Sequence, residues 1–176
     1  MLDFGGGSGL LVRLLRDNGI DAYWSDRYCQ NLFARGFEYE NALNLNLGLA
    51  TCFEVFEHLL EPKASINEML QICPNLLFST ELLPSPIPKH SGKDLWWYYG
   101  FSHGQHISFY ERKTLAYIAK VHNLHFNSYA NLHLFSQKPI NPFVFKWIIK
   151  LSHKGLYTLC KRQFRSKTQS DNQALQ

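Results

Sequence analysis

The sequence predicts an α/β domain built on a mainly parallel sheet with helices on both faces. Three observations carry that prediction. Short apolar runs alternate with helical patterns through the first half of the chain, the order expected of βαβ units. A glycine cluster, Gly5-Gly6-Gly7-Ser8-Gly9, separates a first strand stub from a first helix. An acidic residue, Asp26, closes the second apolar run.

The elements follow in order. Residues 1–4 form the strand stub that runs into the glycines. Residues 9–18 are helical, with Leu10, Leu11, Leu14 and Leu15 on one face and Asn18-Gly19 as the stop. Residues 21–25 are a second strand, followed by a short helix over 29–35 and a short third strand over 37–40. Residues 49–53 are a fourth strand, and 62–72 a helix that ends before Pro74. Residues 75–82 make a fifth strand. Residues 83–108 then change character, with Pro84, Pro86 and Pro88 ahead of Trp96, Trp97, Tyr98, Tyr99 and Phe101. A long segment with its own aromatic content reads as a lid or binding loop. Residues 111–121 return to helix, and 125–130 and 132–136 pair as two strands around Asn131. A last helical stretch runs over roughly 143–164. The domain plan is therefore a domain over 1–138, a basic amphipathic helical unit over 139–165 and a disordered polar tail over 166–176.

Composition narrows the class. The chain of 176 residues is 45% hydrophobic and 18% charged, the balance of a folded globular protein with one sizeable core. Cys29, Cys52, Cys73 and Cys160 are widely spaced with no CxxC pair, which points to free thiols in a reducing cytosol. No basic region followed by an apolar run opens the chain, so no signal peptide is expected. The net charge of +4 hides an asymmetry: residues 1–111 hold 7 Lys/Arg against 13 Asp/Glu, and residues 112–176 hold 11 against Asp171 alone. Such a basic half suits an anionic partner or a solvated face. On the last helix, Lys146, Lys150, Lys154, Lys161 and Arg165 fall on one stripe and Phe143, Trp147, Ile148 and Leu151 on another. Lysine at every turn argues against a membrane span. An interfacial helix or a second subunit on that face stays open, giving a cytoplasmic protein with an optional peripheral place at a membrane.

The chemistry-bearing residues sit at strand ends. Glycines between a strand and a helix permit positive φ and let a ligand reach the backbone, where the helix N-terminus offers unpaired N–H groups. The dinucleotide fingerprint needs a small residue where Leu10 stands. Asp3, Gly5, Gly7 and Gly9 instead fit Asp-x-Gly-x-Gly-x-Gly, which resembles the glycine loop of class I S-adenosylmethionine (SAM)-dependent methyltransferases. Asp26 can accept both ribose hydroxyls of a nucleoside, or cap the turn before Tyr28. Residues 53–62, Phe-Glu-Val-Phe-Glu-His-Leu-Leu-Glu-Pro, are similar to the E-V-x-E-H-x-x-x-P segment of the ubiquinone-type O-methyltransferases. Residues 104–115 resemble the G-x-H-x-x-F segment of the same enzymes. The resemblance spans about residues 2–136.

That resemblance implies a Rossmann-like, seven-stranded class I methyltransferase sheet, mostly parallel with an antiparallel last strand. It implies SAM as cofactor, held by Asp3, Gly5, Gly6, Gly7, Gly9, Asp26, Phe53 and Glu54, with Asn41 toward the adenine. Trp96, Trp97, Tyr98, Tyr99 and His103 would wall the acceptor, and His106 would be the general base, imidazole being the side chain suited to proton removal near neutrality. The other reading of His106 is a structural hydrogen bond to a backbone carbonyl. No metal is expected, since no carboxylate or cysteine accompanies His103 and His106 in sequence. Relatives carry helices before the glycine-loop strand, whereas Met1 stands two residues before Asp3, and residues 37–48 are compressed. The reaction expected is methyl transfer to an oxygen or nitrogen of a small-molecule, sugar or polysaccharide acceptor. The alternatives are a SAM-binding pseudoenzyme or regulator without turnover, and a nucleic-acid methyltransferase, which lacks its N/D-P-P-Y/F or Pro-Cys motif here.

Overall fold

A computed structural model of the chain describes residues 1–102 and 106–175. Among these residues six strands form one sheet: β1 (Leu2–Phe4), β2 (Tyr23–Ser25), β3 (Ala50–Cys52), β4 (Leu76–Ser79), β5 (His125–Tyr129) and β6 (Leu132–Ser136). Their order is β2-β1-β3-β4-β6-β5. The first four are parallel. β6 slots between β4 and β5 and runs against both. This is the Rossmann-like α/β sheet with an antiparallel last strand.

The crossovers explain where the helices lie. α1 (Leu10–Asp17) joins β1 to β2, α2 (Pro62–Ile72) joins β3 to β4, and α3 (Arg112–Val121) lies between β4 and β5. Because parallel crossovers are right-handed and the chain moves in opposite directions from β1 and from β3, α1 covers one face and α2 and α3 the other. The cores divide accordingly. Ile66, Met69, Leu115 and Ala119 pack on a strand row of Leu2, Ala50, Leu76 and Phe135. Val12, Ala22, Ala34 and Phe37 make a smaller cluster on the other side.

α1 departs from its expected face. Leu10 and Leu14 are about half exposed, while Val12 and Arg16 are buried. An arginine is stable there because Asp171 reaches it: Arg16 Nε and Nη2 donate to the two carboxylate oxygens at 2.8 and 2.7 Å. The guanidinium also lies over the Phe37 ring at 3.6 Å. Arg13 adds a third hydrogen bond to Asp171 at 3.1 Å.

That clamp corrects the reading of the tail. Residues 166–176 were expected to be disordered, yet Thr168–Ala174 form a helix, α6, with Asp171 buried. The single helix expected over 143–164 is likewise broken into α4 (Pro142–Ser152) and α5 (Leu156–Cys160), with Gly155 left-handed at φ 88° between them. α4 starts where Asn141 caps the Phe143 N–H and Pro142 opens the first turn. Two smaller expectations also change. Residues 29–35 are turns, held by Asn31, and the strand expected at 37–40 shrinks to one bridge between Trp24 and Glu38 before a 3-10 turn, Tyr39–Ala42.

Asp171→Ala is expected to release α6 and to lower stability in urea by up to about 3 kcal/mol, the scale of a broken buried ion pair. Arg16 holds the Asp171 carboxyl below the ordinary carboxylate range, so this contribution is present at neutral pH and is lost as pH falls through that lowered pKa. Hydrogen exchange over residues 168–174 should accelerate in the variant; unchanged protection there would rule out the clamp.

Candidate active site

In open α/β sheets ligands bind outside the carboxyl ends of the strands where the strand order reverses. Here that point lies between β1 and β3, and the two segments leaving those strands meet across it. The loop after β1 is shaped by its glycines. Gly5 has φ +65°, and a Cβ there would stand 2.5 Å from Val55 Cγ2, in the segment after β3. Gly7, at φ +53°, has nothing within 4 Å of where a Cβ would be. The loop therefore packs tightly below and opens at Gly7.

Side chains fix this loop from beneath. The Gly7 N–H donates to Asp26 Oδ2 at 2.9 Å, while Asp26 Oδ1 accepts from the Tyr28 and Cys29 amides at 2.7 and 2.9 Å. The Trp24 indole N–H donates to the Gly7 carbonyl at 2.9 Å. Thr51 Oγ1 donates to Asp3 Oδ1 at 2.7 Å, and burial pushes the Asp3 carboxyl up to about 6. Across the crevice, Phe53 is partly exposed and Glu54 takes a left-handed φ of 53°. Such a conformation in a residue other than glycine costs free energy and persists where surroundings enforce it. Ser79 does so: its Oγ accepts the Glu54 N–H at 2.8 Å and donates to Glu54 Oε1 at 2.6 Å.

The aromatic segment lies over the ends of β3 and β4. Tyr98 is buried, its hydroxyl 3.2 Å from Thr80 Oγ1 just after β4. Trp96 packs on Tyr98, Tyr99 and Phe109, and Trp97 is exposed. His106 is joined to this cluster. Its Nδ1 lies 2.6 Å from the Tyr98 carbonyl oxygen, and its ring meets Tyr98 and His58 edge-on. The Ile107 and Ser108 N–H groups donate to the Glu57 carbonyl at 2.8 and 3.0 Å. The His106 segment is thereby stitched to the segment that flanks the glycine loop.

Residues 1–127 match the methyltransferase domain family. The chain belongs to that family. No curated protein matches it. The family implies SAM as methyl donor, and the crevice fits a nucleoside sulfonium in two respects. The open space at Gly7 leaves the backbone bare where a ligand must approach, and the Asp26 carboxylate lies against the loop at that point, where a nucleoside hydroxyl can meet it. Asp26 already serves three amides, which leaves about one of its four lone pairs for a ribose hydroxyl.

The fold thus gathers Asp3, Gly5, Gly6, Gly7, Gly9, Asp26, Phe53 and Glu54 around one crevice end. Gly6 rests against Trp24 and Gly9 against Asn31. Asn41 is exposed and its amide nitrogen donates to the Gly36 carbonyl at 3.0 Å. Trp96, Tyr99 and His106 come together, whereas the buried Tyr98 is their support rather than open wall. His103 lies outside the described residues. Sequence reasoning missed Trp24, Thr51 and Ser79, which lock the loops without any motif to mark them.

It also missed Glu57. Its side chain is fully buried, and among the described residues neither carboxylate oxygen has a hydrogen-bond partner. Burial pushes its pKa up. The nearby Tyr98 hydroxyl favours its charged form and the Glu54 carboxyl opposes it, though neither meets it in hydrogen-bond geometry. Glu57, His58 and His106 place ligand atoms within 4.8 Å of one another. The fold carries Glu57 and its sequence neighbour His58 to His106, and three such donors can hold a divalent cation.

Two variants separate the roles of the loop. Gly5→Ala should lose about 2 kcal/mol or more, because the added Cβ strikes Val55 and the backbone is left-handed. Gly7→Ala should lose only about 1 kcal/mol, from backbone strain alone; equal losses in denaturant titrations would refute this division. For Asp3 the folded pKa is raised, so its contribution is present below its ordinary pKa near 3.8 and is lost as pH rises through about 6. Asp3→Asn should remove up to about 3 kcal/mol of that pH dependence, read as a flatter stability profile between pH 4 and 7.

Proposed function

We propose that this chain transfers a methyl group from SAM to an oxygen or nitrogen of a small-molecule or sugar acceptor. The observation that carries the reading is the setting of His106. A carbonyl oxygen can only accept, so the contact with Tyr98 puts the proton on Nδ1 and leaves the Nε2 lone pair free to act as a base. The same histidine is tied through Glu57 to the segment after β3, which borders the glycine loop.

SAM, when bound, supplies an electrophilic methyl group on a sulfonium. Everything else falls to the residues of the chain. Gly5, Gly7 and Gly9 shape the backbone cradle, Asp26 and Glu54 bracket it, and Phe53 borders the methionine end. Trp96, Trp97 and Tyr99 offer flat apolar surface to a ring or a sugar face. His106 Nε2 takes the proton from the acceptor hydroxyl or amine as the new bond forms. Positioning of the two reactants supplies the larger share of the rate in such a transfer.

Calorimetric titration with SAM and S-adenosylhomocysteine tests the cofactor half, with NAD as control. Micromolar binding of both, lost in Gly7→Val and absent for NAD, is the expected result. Tritium transfer from methyl-labelled SAM to a panel of phenols, catechols and sugars tests the rest. His106→Gln should lower turnover about 10²- to 10⁴-fold, the usual contribution of a general base, with S-adenosylhomocysteine affinity unchanged. Binding without transfer to any acceptor would favour a SAM-responsive regulator instead.

A further inference from the structure

The C-terminal helices carry an arrangement that methyl transfer does not use. A helix docked on a domain ordinarily turns its apolar stripe inward. α4 does the reverse. Phe145 is its one buried side chain and Ile149 is partly covered, yet Phe143, Val144, Trp147 and Ile148 are each more than half exposed. By the 3.6-residue period these four share the side turned away from the sheet. Leu159 in α5 is also 75% exposed. Isolated exposed apolar residues need no explanation, whereas a contiguous strip does.

The flank of the strip is basic. Lys146 and Lys150 stand four residues apart along one edge of α4, and Lys154 follows in the turn after it, all exposed. Lys146 and Lys150 hold their ammonium groups 5.6 and 5.9 Å from the Tyr129 ring centre. The sole acidic residue from 112 to 176 is Asp171, and it is buried on Arg13 and Arg16. No carboxylate from this half of the chain therefore offsets the lysines.

We infer that this face lies on an anionic lipid bilayer, with α4 parallel to the membrane plane. The two components of the face select that occupant together. A nucleic acid would satisfy the lysines but leave Phe143, Trp147 and Ile148 in water. A twofold contact with a second copy would cover the apolar strip but bring lysine edges of like charge together. An anionic bilayer accepts aromatic and aliphatic side chains at the acyl boundary and lysines at the headgroups. α4 has 11 residues, too few to span, and among the described residues no helix is long and apolar enough to cross a membrane. The surface is independent of the crevice, so the inference holds whether or not the chain turns over a substrate.

Co-flotation of the full chain with liposomes decides the matter. Vesicles of phosphatidylcholine with about one third phosphatidylglycerol should carry the protein, and pure phosphatidylcholine should not. Lys146→Ala with Lys150→Ala should weaken binding roughly 30-fold, since a basic residue at such a surface contributes about fivefold. Raising salt should act in the same direction, as screening predicts. Trp147→Ser should abolish flotation while leaving circular dichroism and sedimentation as a monomer unchanged. The inference is overturned if neither vesicle binds at low salt, or if binding survives Trp147→Ser undiminished. It is equally overturned if the wild type sediments as a dimer that Trp147→Ser dissociates, which would assign the face to a second copy.

Discussion

The site depends on one carboxylate. Asp26 takes the Gly7 amide on one oxygen and the amides of Tyr28 and Cys29 on the other, so the loop after β1 and the turn after β2 become a single unit. Hydrogen bonds to an ionised acceptor are among the strong ones, and this one joins chain segments 19 residues apart. With the loop pinned there, Trp24 can close on the Gly7 carbonyl and Gly5 can press against Val55. The crevice at the reversal of strand order is thus defined by backbone on one side and by the strained Glu54 turn on the other.

The same logic governs the aromatic segment over the end of β4. Tyr98 is buried so that its hydroxyl meets Thr80 at the end of β4 and its carbonyl meets His106. One residue therefore anchors the aromatic segment to the sheet and orients the imidazole. Glu57 extends the arrangement, its carbonyl holding the residues after His106 and its carboxylate pointing toward the two histidines. A wholly buried carboxylate is costly, and burial accordingly pushes the Glu57 carboxyl up toward its neutral form.

Much of this was legible in the sequence, for physical reasons. The glycine loop, the strand-end Asp26 and the segment from Phe53 to Pro62 are local patterns, and local patterns survive without knowledge of what packs on them. The hairpin of β5 and β6 around Asn131 was equally local. What the sequence concealed was long-range. Thr51 and Ser79 carry no motif, and their meaning arises from standing next to Asp3 and Glu54 across the sheet. Arg16 reads as the polar side of a leucine-rich helix until Asp171 is placed against it. The tail reads as polar and disordered for the same reason, although a single acid in a strongly basic stretch was a clue that it had a private partner. The compressed stretch after Phe37 lost its strand because Glu38 makes one bridge to Trp24 and then turns away.

The clamp of Arg16 and Asp171 joins residues 155 positions apart. Closing so long a loop is entropically unfavourable until the elements between are in place, so α1 and β2 must be assembled before α6 finds its seat. A pairing of such separation is expected to form late on the way to the native state. Contacts absent from the folding barrier slow escape from the native state instead of hastening arrival. The last helix thus acts on the lifetime of the fold, working as a latch on a sheet that earlier contacts have already built.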